Sequence, residues 1–159
     1  MAGMIDRQVL IDRFAELLPL ATQWATNEQD RILREGRPLD ADLAADARAL
    51  GVRTPERVRW LVVETIARPK NRLLKAACDA IDFLGPETRG LTLGYAIFIR
   101  ADCAAERALM RHELVHVAQY KRLGGIEPFL RQYLMECLVV GYEASPLEQE
   151  AVVQSARLS

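Results

Sequence analysis

Histidine is scarce in this 159-residue chain, with two residues in all, and aromatic side chains make up only 6%. Cysteine is nearly as rare. Cys78, Cys103 and Cys137 are odd in number, widely spaced and without a Cys-x-x-Cys pair. That argues against a disulfide framework or a cysteine-based zinc site and predicts free, mostly buried thiols. No apolar run approaches the roughly 18 residues of a spanning helix. Residues Met4 to Arg13 have no signal-peptide-like apolar stretch, so the expected location is cytoplasmic, with no membrane partner. Charge of one sign is missing too: 21 Lys+Arg against 22 Asp+Glu leave a net −1, which argues against a protein built to coat nucleic acid or anionic lipid. There is no internal repeat and no linker long enough to divide the chain. What remains is 50% hydrophobic and 27% charged, the composition of one globular domain over residues 1–159.

Periodicity predicts an α+β fold: mostly helical, with a small antiparallel or mixed sheet of about three strands. Residues 1–56 read as a helical region. Leu10, Phe14, Leu17, Leu18, Ala21 and Trp24 share one helix face, with a kink or break expected at Pro19 and a stop at Gly36 and Pro38. A helix over Ala41–Leu50 has Asp40 as its N-cap and Gly51 after its end. The β-branched and aromatic run Val58–Ile66 reads as a buried strand, and Asn71–Phe83 as a helix ended by Gly85-Pro86. Leu91–Ile99 reads as a hairpin turning at Gly94-Tyr95. A long helix is expected over Cys103–Leu123, capped by Asp102 and ended by Gly124-Gly125. Helices over Pro128–Gly141 and from Ser145-Pro146 onward complete the chain.

Both histidines lie on the long helix, in His112-Glu113-Leu114-Val115-His116. Spacing i, i+4 puts two imidazoles on one face, able to converge on one zinc ion, while Glu113 projects beside them toward a metal-bound water. With no histidine left, the third ligand has to be a carboxylate: Glu127, Glu136, Glu143, Glu148 or Glu150. Glu136 falls opposite the apolar stripe of Leu130, Tyr133, Leu134, Cys137 and Leu138, on a solvated face. On the last helix Leu147, Ala151 and Leu158 mark the inward side. Glu150 reads as lying there with no arginine near it in sequence, and a buried carboxylate of that kind needs a partner or a metal. Glu148 has another use in a Ser145-x-x-Glu148 capping box. Glu150 is therefore the first choice, with Glu148 and Glu136 left open.

These residues resemble the zincin metallopeptidases with a glutamate third ligand, the gluzincins. His112-Glu113-Leu114-Val115-His116-Val117-x-Gln119 is similar to the HELxHVxQ signature of short bacterial zincin-like proteins, among them the core domain of contractile-injection-system toxins. Gly141 to Ala151 is similar to the Tyr-x-x-Asn-Pro-x-Glu-x-Glu-Ala stretch of such proteins. The likeness covers about residues 91–155 of a zincin-like core over residues 57–159, and residues 1–56 carry none. It implies Glu150-Ala151 as the ligand pair, with Gln154 where an acidic partner of a histidine usually stands. It also implies an edge strand, Ala96–Ile99, that holds an extended peptide.

The activity implied is zinc-dependent hydrolysis of a peptide or protein substrate, with His112, His116 and Glu150 on zinc and Glu113 as general base. A second electrophile would be Tyr142, then Tyr120 or Arg131. Two other readings stand beside it. One is a zinc-binding scaffold without turnover. The other is a helix-turn-helix DNA-binding module over Asp42–Glu64, disfavoured by Asp40, Asp42 and Asp46 set against Arg53, Arg57 and Arg59.

Overall fold

The computed structural model describes residues 5–158. Seven helices and a four-stranded mixed sheet alternate along them, an α+β architecture that is mostly helical. Helix α1 (Arg7–Asp12) leads into α2 (Phe14–Glu35), which runs through Pro19; the interruption falls at Arg13 instead. An interior proline costs about 3 kcal/mol. Burial of Leu17 and Leu18 alone offsets it, at about 1.5–3 kcal/mol each.

Strand β1 (Arg37–Pro38) pairs antiparallel with β2 (Arg59–Val63). Between them lies α3 (Ala41–Ala49), whose Leu43 amide donates to the Asp40 cap at 2.8 Å. Thr54-Pro55 opens only a short 3-10 turn before β2, which is shorter than the apolar run that suggested it. The second element of Asp42–Glu64 is thus a sheet strand, and a helix-turn-helix has no recognition helix there. After α4 (Arg72–Ala80) come β3 (Gly90–Leu93) and β4 (Ala96–Arg100), joined at Gly94, whose φ is +67°. A Cβ on Gly94 would lie 2.1 Å from Gln29 Oε1, so the turn is closed against α2 as well as tight.

The sheet order is β1-β2-β4-β3, with β2 and β4 parallel. This corrects one expectation: Ala96–Ile99 lies inside the sheet, and β3 is the edge strand. Ala96, Ile97, Phe98 and Ile99 are all buried, as a strand covered on both faces must be. Phe98 faces the large core shared with α2, α4 and α6, and Ile97 and Ile99 face a second core under α3 and α5.

Helix α5 (Arg107–Leu123) starts four residues later than its sequence suggests. The Asp102 carboxylate is taken by Arg100, at 2.6 and 3.0 Å, so residues 101–103 form a 3-10 turn and Asp102 caps nothing. Helices α6 (Ile126–Val140) and α7 (Pro146–Ala156) follow, α7 capped by Ser145 as expected. The three cysteines are free and buried, and burial pushes the Cys78 and Cys137 thiols up to about 12. Among the described residues no helix is long and apolar enough to cross a membrane.

One ion cluster fixes α5 against α3. Asp46 accepts from Arg107 at 2.7 and 3.0 Å and from Arg111 at 2.9 Å. The Arg107 bond is the main cause that holds its carboxyl below the usual range, with Arg111 adding to it against burial. A lowered folded-state pKa gives stability that is present above the unfolded value near 3.8 and lost as pH falls through the folded one. Asp46→Asn is expected to cost about 2 kcal/mol, discounted for the half-exposed Arg107. In thermal denaturation at pH 7 that is a drop of about 4–8 °C, shrinking below about pH 4. An unchanged transition would show the cluster to be ornamental.

Candidate metal centre

The i, i+4 spacing on α5 does bring the two imidazoles together. Their ring centroids are 4.9 Å apart and their Nε2 atoms 3.3 Å apart. The third group comes from the first turn of α7. Glu148 Oε1 lies 2.7 Å from His112 Nε2, and Oε2 lies 3.2 Å from His116 Nε2. One ligand atom from each of His112, His116 and Glu148 can be chosen so that all lie within 4.8 Å of one another. A helix's first turn also suits a carboxylate, because the unpaired amides there favour negative charge.

Glu150 is not part of this cluster. Its carboxylate takes both terminal nitrogens of Arg122, at 2.7 and 2.9 Å. The inward face of α7 is Leu147, Glu148 and Ala151, because α7 is wedged against α5 and the large core together, and Glu150 is turned toward the end of α5. Glu136 is half-buried rather than freely solvated. It accepts from Ser145 Oγ at 2.8 Å and from the Leu147 amide at 3.0 Å, closing the start of α7. Only half of the capping box forms: Ser145 Oγ accepts from the Glu148 amide at 3.4 Å, while the Glu148 side chain turns to the histidines. Gln154 contacts Arg157 rather than a histidine.

Four side chains hold the cluster and Glu113: Gln119 of the motif, Tyr142, and two residues the sequence did not single out, Tyr133 and Thr92. Gln119 Nε2 donates to the Leu147 carbonyl at 2.9 Å, which turns Gln119 Oε1 toward His116 Nδ1 at 2.7 Å. With Nδ1 as donor, the neutral ring presents its Nε2 lone pair to the cluster. Tyr133 donates to Glu148 Oε2 at 2.9 Å, and Tyr142 to Oε1 at 3.3 Å. Thr92 Oγ1 donates to Glu113 Oε2 at 2.7 Å. A sequence signal existed for two of them: a tyrosine within an apolar helix stripe and a threonine within an apolar strand each need a buried partner.

The electrostatics follow from this packing. Burial disfavours a charged His116, but the hydrogen bond to Glu148 and the Glu113 and Glu148 carboxylates win and raise it to about 9. Burial likewise opposes an ionised Glu148, yet the His112 and His116 hydrogen bonds hold it well below the usual carboxylate range. Burial and the Glu148 charge raise Tyr133 and Tyr142, so both hydroxyls stay protonated donors. Two imidazoles and a carboxylate this close are held together either by a proton shared among them or by a cation. The donor set, two imidazoles and one carboxylate, is one that suits zinc, and three protein ligands leave room for a further one.

Glu113 is 5% exposed. Its Oε1 faces Gly90 on β3, where a Cβ would lie 2.9 Å away, so only glycine leaves the carboxylate its space. An open cleft reaches His112, Glu113, Tyr142 and Glu148 from the side of residues 82–90. Of the three residues considered as electrophile, Tyr142 alone lines it. The Tyr120 hydroxyl donates to the Thr92 carbonyl at 3.0 Å in the core, and Arg131 pairs with Glu127 on the surface.

Residues 84–124 match the family model of the eCIS core domain. No curated protein and no solved structure matches the chain. The matched segment runs from the loop before β3 to the end of α5, so it contains both histidines, Glu113 and Thr92 but not Glu148.

Proposed function

We propose that the chain is a zinc-dependent metallopeptidase whose metal is held by His112, His116 and Glu148. The observation that carries this reading is the convergence of those three side chains beside Glu113. A zinc ion there would supply Lewis-acid chemistry, acidifying water and polarising a carbonyl. The rest falls to the protein. Thr92 fixes one oxygen of Glu113, and the other can take a proton from water and return it to the leaving amine. Gln119 keeps the His116 tautomer that leaves Nε2 free of a proton. Tyr142, at the cleft wall, can turn its one hydroxyl proton from Glu148, a long 3.3 Å bond, to a developing oxyanion.

Strand β3 suits an extended substrate. The Arg100 amide bonds to the Arg89 carbonyl, so residues 89, 91 and 93 turn inward to β4, while Gly90 and Thr92 turn their backbone groups to the free edge. Tyr120 occupies the Thr92 carbonyl, which leaves Gly90, next to Glu113, as the pairing position. The test joins elemental mass spectrometry of the untagged protein to a peptide-library digest. About one zinc per chain and cleavage that stops on chelation are expected. A chain that takes up no zinc after reconstitution refutes the reading.

A further inference from the structure

Behind the histidines lies a void that the chemistry above does not use, a cavity of about 60 Å³ between α2, α4, β3, α5 and α6. Glu113, His116 and Glu148 stand at one end. Leu17, Ala21 and Ala25 of α2, Ala77 and Cys78 of α4, and Ile81 just after it also line it. Interiors normally fill such space. Here three alanines face it where a leucine on any of them would close it.

The cavity and the open cleft share lining residues: Phe83, Leu84, Gly90, Tyr142, Glu113 and Glu148 border both. One layer of side chains therefore separates the cleft from the cavity. That layer is held in an uncommon backbone conformation, with Asp82 at φ 53° and Leu84 at φ 58° on either side of Phe83. Non-glycine residues adopt it only where their surroundings impose it, and such positions cluster at ligand clamps. Phe83 rests edge-on against Tyr133 at 5.8 Å and tilted on Tyr142 at 6.0 Å, the two tyrosines that hold Glu148.

Size and polarity define the occupant. At about 10–15 Å³ of cavity space per water-sized group, the volume takes a few groups of that size. Away from the histidine end the lining is almost wholly apolar, which disfavours water and favours carbon. We propose that this cavity is the recognition pocket for a small aliphatic side chain, alanine- to valine-sized, of a peptide bound at the metal centre. It rests on the metallopeptidase reading. It also gives α2 of the N-terminal region a role, since both α2 and α4 lie outside the segment matched to the eCIS core domain and line the cavity.

The test is calorimetry on zinc-loaded protein with amino-acid hydroxamates, which need no turnover. Valine hydroxamate is expected to bind roughly 10- to 50-fold tighter than glycine hydroxamate, from burial of its three carbons. Phenylalanine hydroxamate, too large for the space, should gain nothing over glycine. Ala77→Leu fills the cavity and should bring the valine-to-glycine ratio to about one. Ala21→Val serves as the milder filling should Ala77→Leu fail to fold, as judged by its thermal transition. Equal affinities in the wild type, or a preference that survives filling, overturn this inference alone. Failure to take up zinc overturns the metal reading and this inference with it.

Discussion

Glu148→Gln is expected to empty the chain of zinc, and Glu150→Gln to leave it loaded. A zinc site's binding free energy is about 10–16 kcal/mol, so one of three protein ligands accounts for a third of it, or about 10²- to 10⁴-fold in affinity. Elemental mass spectrometry after dialysis reads this as a fall from about one ion per chain to nearly none. The amide is close to the carboxylate in shape, and its one oxygen can keep the Tyr133 bond while Tyr142, at the cleft wall, turns to water, so the fold should survive. Glu150→Gln removes only an ion pair at the surface, with Arg122 54% exposed, worth about 0–1 kcal/mol. Zinc retained by the first variant and lost by the second would reverse the assignment of the third ligand.

Glu113→Gln should separate chemistry from binding. Proton transfer by a positioned side chain contributes about 10²- to 10⁴-fold, so kcat is expected to fall by that much with zinc content and thermal stability unchanged. The prediction depends on where the carboxylate sits. It is held by Thr92 and touches neither histidine nitrogen, so an amide of the same shape leaves the metal-binding cluster intact. A glutamine can occupy the space beside Gly90 but cannot accept the proton. Full activity would remove Glu113 from the proton path. Loss of zinc instead would make it a ligand.

Much of the site was legible because it is local. The His-Glu-x-x-His spacing needs only a helix to bring His112 and His116 together, and α5 is closed by Gly124 at φ +105° as its sequence predicts. The caps Asp40 and Ser145 are local too, and each accepts from the amide three residues on. Apart from the Asp102 cap, which Arg100 two residues away takes over, the main failures came where the answer lay far along the chain. Glu150 looked like an unpaired inward carboxylate because Arg122, its partner, is 28 residues away. Which face of α7 is inward depends on α5 and the core packing against it, and an eleven-residue helix with a mixed pattern does not record that. The free edge was misplaced for a similar reason. Ala96–Ile99 has the pattern of a strand, but its position between β2 and β3 is set by the parallel pairing of Arg59–Val63 with it.

The peptide groups of Leu147 connect the two sides of the molecule. Its amide is held by Glu136 from α6, at 3.0 Å, and its carbonyl by Gln119, at 2.9 Å, whose other end reaches His116 at 2.7 Å. A carboxylate in the groove between α6 and the start of α7 is therefore mechanically continuous with the imidazole on the far side. Glu136, outside the motif, thus stands three hydrogen bonds from the His116 ring it helps to orient.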